Sequence, residues 1–168
     1  MLVVNFKKLH ADAKLPVKGS TSAGCYDVYA TSVELDSNRV VTYGLGFATQ
    51  IPEGWRGVIV PRSNISKHPW VLANSVGIVD SDYRGEWMVK FKCVSPNLEA
   101  TPYAIGDRIA QIYFEKIADV AFAEVDDLDQ TGRGEGGFGS TGITDVTYAK
   151  PDYVTNTNND VKANSNNR

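Results

Sequence analysis

The sequence predicts an all-β protein, a jelly-roll-like β-barrel, and three observations carry that expectation. Short runs rich in β-branched and aromatic residues recur at close spacing, bounded by Gly, Pro, Asn and Asp. Trp87, Val89, Phe91 and Cys93 alternate with Met88, Lys90, Lys92 and Val94, a period of two with lysines on one face. No long stretch places apolar residues at helical spacing.

Taken in order, Val-Val-Thr-Tyr at 40–43 forms a strand that leads through Gly44 into residues 44–51, ended by the turn Pro52-Glu53-Gly54. Residues 55–60 follow as another strand. A short helix or turn fits after Ser63, and Pro69 stops it. Residues 87–94 and 108–114 supply two further strands. Composition then shifts: residues 124–130 are acidic, 132–142 are glycine-rich, and the end of the chain from about Asp152 is Asn-rich. That end has almost no large apolar side chain after Val154, too few to offset the entropy of ordering it. The expected organisation is a β-barrel domain at 1–125, a glycine-rich C-terminal arm at 126–142 and a disordered tail at 143–168.

Hydrophobic residues make up 42% and charged residues 22% of the 168 positions, enough apolar surface for one core. A formal net charge of −3 argues against a duplex nucleic-acid binder, which presents surplus Lys and Arg. It leaves room for a small anionic substrate at a local basic cluster. The two cysteines, Cys25 and Cys93, form no metal motif and read as small buried hydrophobes of a reducing compartment. The apolar run at the N-terminus is too short for a signal peptide or a membrane span. A cytoplasmic protein is expected, in the host cytoplasm if virus- or phage-encoded, with no membrane or nucleic-acid partner.

Five segments carry groups suited to chemistry. Residues 133–142 read Arg-Gly-Glu-Gly-Gly-Phe-Gly-Ser-Thr-Gly. Their glycines match a dinucleotide fingerprint by spacing, but no helix follows, and a Walker loop fails because Ser140 stands where its lysine is required. What remains is backbone N–H able to approach phosphates, with Arg133 and the hydroxyls adding donors and Phe138 able to cap a flat ring. A flexible linker with an incidental aromatic fits the same residues. Residues 77–85, Gly-Ile-Val-Asp-Ser-Asp-Tyr-Arg-Gly, read as an ordinary turn or as a carboxylate, Asp80, set to deprotonate water beside Tyr83. Pro61-Arg62-Ser63 ends a strand in a guanidinium and a hydroxyl. In Gly106-Asp107-Arg108-Ile109-Ala110-Gln111 a turn with an Asp107–Arg108 ion pair is expected, and Gln111 offers an amide to a phosphate. Asp27 is a lone carboxylate, sufficient for magnesium, which prefers few carboxylates, several waters and phosphate oxygens. His10 and His68 lie far from any acid cluster, and neither a zinc site nor a Ser-His-Asp triad has its parts.

In chain order these segments resemble the five motifs of the homotrimeric dUTPase family. Gly24-Cys25-Tyr26-Asp27-Val28 is similar to its A-G-Y-D-L, and Pro61-Arg62-Ser63-Asn64-Ile65-Ser66 to its P-R-S-G-L-A. Cys25 and Asn64 stand where that family usually has Gly. The third motif, G-x-I-D-x-D-Y-x-G, resembles residues 77–85, and the last two, G-D-R-I-A-Q and R-G-x-G-G-F-G-S-T-G, are complete at 106–111 and 133–142.

The resemblance implies a jelly-roll trimer that hydrolyses dUTP to dUMP and pyrophosphate, by Mg2+-assisted attack of water on the α-phosphorus. Such a reaction limits uracil incorporation into DNA and supplies dUMP for dTTP synthesis. It implies Asp80 as general base, Asn74, Gly77 and Val79 in a hairpin that reads uracil by backbone groups, and Tyr83 on the deoxyribose. Ser63, Asn64 and Gln111 would hold phosphates with Arg62 in support, and Asp27 would meet magnesium through water. Arg133, Phe138, Gly139, Ser140 and Thr141 would close over the substrate, with Phe138 stacked on uracil and Arg133 at the γ-phosphate. Each site would draw on three chains. The alternatives are a dUTP-binding regulatory trimer acting through a protein partner and, further off, a relative of dCTP deaminase, which lacks the complete arm.

Overall fold

The computed structural model describes residues 1–96 and 101–138, and divides the chain into a unit Met1–Ala121 and a second that begins at Phe122. The first unit is all-β. One four-stranded antiparallel sheet runs β2 (Tyr26–Tyr29), β10 (Arg108–Lys116), β6 (Trp55–Pro61), β8 (Gly77–Val79). The other runs β3 (Ser32–Leu35), β4 (Val40–Gly44), β9 (Met88–Cys93), β7 (Trp70–Leu72). A two-stranded ribbon pairs β1 (Asn5–Lys8) with β5 (Phe47–Gln50). Val28, Ile59, Ile109 and Ile112 from the first sheet join Val41, Tyr43, Val89 and Phe91 from the second in one core, which makes the jelly-roll-like architecture the sequence predicts.

The alternation seen in residues 87–94 places Val89, Phe91 and Cys93 inward and Met88, Lys90 and Lys92 outward. Where the chain must pass closest to a large side chain, the sequence supplies glycine. A Cβ on Gly57 would lie 2.5 Å from the Trp87 ring, so the indole rests on bare β6 backbone. Trp87 itself is fully buried, and its Nε1 donates to Thr49 Oγ1 at 3.1 Å.

Strands β1, β2, β3 and β7 were not legible, β2 having been read only as the segment that carries Asp27. The run Asn5–Lys8 is mostly polar and becomes a strand by pairing with β5, and β3 is exposed at every residue. Strand β7 has only three residues, directly after Pro69. The short helix expected after Ser63 is a 3-10 helix, Ser63–Lys67, closed by His68 ahead of that proline. The cysteines differ from expectation in part. Both are free and Cys93 is buried, but Cys25 is half-buried, because it sits in the bend ahead of β2 rather than on the inner face of a strand.

Tyr43 and Tyr103 lock two parts of the core together. The Tyr43 hydroxyl donates to the Tyr103 carbonyl at 2.8 Å and accepts from the Tyr103 N–H at 3.1 Å. Burial pushes the pKa of both phenols above the ordinary value. Raised folded-state values mean the stabilisation is complete while the unfolded chain also keeps its phenolic protons. It is lost as pH climbs past the ordinary phenolic value toward the folded ones. Urea unfolding followed from pH 8 upward should therefore show stability falling in the alkaline range, and Tyr43→Phe should flatten that decline.

Candidate active site

Strand β7 belongs to one sheet and β8 to the other, so residues 73–76 cross the seam between them. The crossing borders a cleft of about 380 Å³. Ile59, Leu72, Trp87 and Val89 floor it with buried apolar surface, and Asn74, Asp80, Tyr83 and Lys90 rim it. The crossing turn is tight: Ser75 N–H donates to Leu72 O at 3.0 Å and Val76 N–H to Asn74 O at 2.6 Å. Ser75 takes φ +61°, a left-handed conformation that a non-glycine residue rarely adopts. Gly77 lets β8 close on β6, since a Cβ there would lie 3.0 Å from Ile59 Cβ.

Past β8 the chain turns back at Asp80, whose carbonyl accepts the Tyr83 N–H at 3.2 Å. The Tyr83 hydroxyl donates to the Glu86 carbonyl at 3.1 Å, which lays the ring across Gly85 where any Cβ would collide with it. Glu86 in turn accepts the Gly46 N–H at 2.8 Å through Oε1, tying this turn to the neighbouring loop. The Asp80 carboxylate is exposed beside the tyrosine.

A second cluster forms where β2, β10 and β6 lie side by side, with Asp27 paired to Gln111 and Gln111 to Val60 in register. Asp27 is buried, and both its oxygens are engaged: Oδ1 accepts from Arg62 Nε at 2.9 Å and Oδ2 from Arg108 Nη1 at 3.1 Å. Arg62 also donates through Nη1 to the Arg108 carbonyl at 3.2 Å. One carboxylate set against two guanidiniums leaves excess positive charge, which favours an anion. Gln111 donates through Nε2 to the Pro61 carbonyl at 3.1 Å, and Ser63 is exposed at the start of the 3-10 helix.

The expected Asp107–Arg108 ion pair is not made. Asp107 Oδ2 instead accepts the Ala104 N–H at 2.8 Å and closes its own turn. Arg108, the first residue of β10 and in register with Tyr29, reaches Asp27 across the strand pair. Neither Cys25 nor Asn64 has a positive φ, so replacing glycine at these places costs no backbone strain. Asn64 accepts a hydrogen bond from the Tyr103 hydroxyl at 3.1 Å. Among the described residues no group of three or more His, Cys, Asp or Glu converges as a metal site.

The cleft thus gathers Asn74, Gly77, Val79, Asp80 and Tyr83, while Asp27, Arg62, Ser63, Asn64 and Gln111 lie outside its lining. In the second unit Arg133 Nε donates to its own Gly136 carbonyl at 2.8 Å, and Phe138 is fully exposed at φ +49°. Gly139, Ser140 and Thr141, like the tail at 143–168, lie outside the described residues. Sequence reasoning missed the partner of Arg108, the contact of Tyr103 with Asn64, and Lys90 on the cleft rim. The period-two pattern already turned Lys90 outward, but nothing in it indicated which face borders a cleft.

A sequence model of the dUTPase family matches residues 11–142. The deoxyuridine 5'-triphosphate nucleotidohydrolase of Yarrowia lipolytica is 38% identical over 147 residues, covering 86% of this chain and 92% of the relative. The enzyme of that name from Paramecium bursaria Chlorella virus 1 is 38% identical over 140 residues, 82% of this chain and 96% of its own. Among solved structures, the Staphylococcus bacteriophage 80alpha dUTPase with dUPNHPP superposes with a TM-score of 0.72 at 22% identity, covering 84% of this chain and 99% of that one, a likeness of fold. A match running from residue 11 to 142, through both clusters and the glycine-rich segment, establishes that this chain belongs to the dUTPase family.

Proposed function

We propose that this protein is a dUTP diphosphatase, hydrolysing dUTP to dUMP and pyrophosphate. The observation that carries the reading is the cleft, in which the Asn74 hairpin, the Asp80 carboxylate and the Tyr83 ring meet over an apolar floor. A pyrimidine entering the seam would meet backbone groups of residues 74–79. Uracil presents an N–H donor between two carbonyls, and cytosine reverses part of that pattern. Fixed partners would leave cytosine with unpaired buried groups, at about 1–3 kcal/mol each. Thymine would be refused by the bulk of its methyl, and Tyr83, pinned by Glu86, would press on the sugar face where a ribose hydroxyl needs room.

Asp80 would then accept a proton from the water that attacks the α-phosphorus. Ser63, Gln111 and the backbone N–H of Asn64, whose side chain is taken up by Tyr103, would hold the phosphates beside the positive excess of Arg62 and Arg108 over Asp27. The donor set suits a magnesium ion carried mainly by phosphate oxygens and water: each Asp27 oxygen retains acceptor capacity after its one guanidinium bond, enough for an ion-bound water. Bound there, the ion would neutralise charge on the triphosphate. That the phosphate cluster stands outside the lining of the proposed uracil cleft supports a trimer with shared sites, each completed by Arg133, Phe138, Gly139, Ser140 and Thr141 of an arm.

Pyrophosphate release measured with dUTP, dTTP, dCTP and UTP, with and without magnesium, tests this reading. Release from dUTP should exceed that from dCTP by about 5- to 150-fold, the effect of one unsatisfied buried group, should exceed that from dTTP and UTP through the two steric exclusions, and should need the metal. Equal consumption of all four would refute the cleft as a uracil site.

A further inference from the structure

We infer that Tyr103 and Asn64 form a positioning pair that holds the phosphate-binding end of β6 in register with the rest of the site. The inference rests on the reading of Ser63 as a phosphate contact and concerns what holds that residue in place.

Tyr103 is an anchor. Only 6% of it is exposed, its ring lies 5.6 Å from Phe91 and 6.2 Å from Tyr43, and its backbone is tied at both N–H and C=O to the Tyr43 hydroxyl. From this fixed base its own hydroxyl donates to Asn64 Oδ1 at 3.1 Å, a bond between residues 39 apart in the chain. Asn64 is the second residue of the 3-10 helix, directly after Ser63 and two after Arg62. That helix is short, and Arg62 at its N-cap offers no side-chain capping bond. Its internal ties are local: Ser66 Oγ donates to the Ser63 carbonyl at 2.8 Å, and the Ile65 N–H to the Arg62 carbonyl at 3.1 Å. The phenol adds a constraint from the core. A phenol keeps its proton at neutral pH, and burial pushes the Tyr103 value higher still, so its hydroxyl is a donor there. A glycine at position 64 would give it no side chain to meet. Phosphoryl transfer depends on positioning, and a small displacement of a phosphate contact is costly.

The test compares wild type with Tyr103→Phe, Asn64→Ala and the double variant. KM and kcat for dUTP are measured with magnesium, the affinity for inorganic triphosphate is measured in parallel, and thermal melting reports folding. Each single variant should raise KM and weaken triphosphate binding by about three- to tenfold, the range of one hydrogen bond. The double variant should be no worse than the weaker single, because both remove the same bond. Tyr103→Phe with a lowered melting temperature but unchanged KM and triphosphate affinity would overturn the inference and leave the bond a matter of stability. So would single effects that multiply in the double variant. Should Tyr103→Phe fail to fold, Asn64→Ala, at the half-buried end of the bond, decides the matter by the same affinities. Wild type that binds triphosphate but leaves dUTP intact would count against the diphosphatase reading, while the variants' triphosphate affinities would still decide the role of the pair.

Discussion

Replacing Asp80 with Asn is expected to lower pyrophosphate release from dUTP by about 10²–10⁴-fold, the usual contribution of a positioned general base. The amide has nearly the carboxylate's shape and keeps the turn, since it is the Asp80 carbonyl and not its side chain that accepts the Tyr83 N–H. The side chain is exposed on the cleft rim, so the fold and the affinity for dUTP should survive the change. Single-turnover hydrolysis beside equilibrium binding of a non-hydrolysable dUTP analogue separates the two. Turnover that persists would move the base elsewhere, and nucleotide binding lost along with turnover would give Asp80 a part in holding the substrate instead.

Deleting residues 133–168 should also cost most of the catalysis while leaving the fold intact. Every strand of the described residues lies within Met1–Ala121, so the β-structure should form and assemble without the arm. What goes is Arg133, the Phe138 ring and the hydroxyls beyond it, and losing charge stabilisation of that kind costs about 10²–10³-fold in rate. Mixing the truncated chain with Asp80→Asn gives a sharper result. In randomly mixed trimers about one site in four should combine a sound Asp80 with a sound arm from another subunit, and activity should return accordingly. Mixtures verified by mass that stay inactive would mean each site is built within one chain.

The sequence carried the fold through its alternation and the site through its motifs, for different reasons. Strands β4, β6, β9 and β10 were legible because β-branched and aromatic residues mark them directly. Strand β3 escaped because its four residues are all exposed and its pairing to β4 is set by the hairpin, where Asp36 Oδ1 accepts the N–H groups of Asn38 and Val40 at 2.8 and 2.9 Å. The cleft residues around Asp80 stood in one contiguous segment and were found together. The Asp27, Arg62 and Arg108 network could not be, because its members lie on β2, just past the end of β6 and at the start of β10, and the adjacency of those strands is a fact of topology. Adjacency in sequence suggested Asp107 as the partner of Arg108, and the turn at residues 104–107 had already claimed it. Tyr103 gave no signal at all, since a tyrosine between Pro and Ala looks like any loop aromatic.

The crossing of the chain from β7 to β8 also limits how this protein can change over evolutionary time. Trp87, Val89, Leu72 and Ile59 serve at once as floor of the cleft and as members of the shared core. A substitution there that reshaped the chamber for another base would remove several kcal/mol of packing in the same stroke. With the cleft as the proposed base site, selectivity can therefore drift cheaply at its outward-facing places, Asn74, Ile78, Tyr83, Met88 and Lys90, and lineages that acquire new preferences should record them there first.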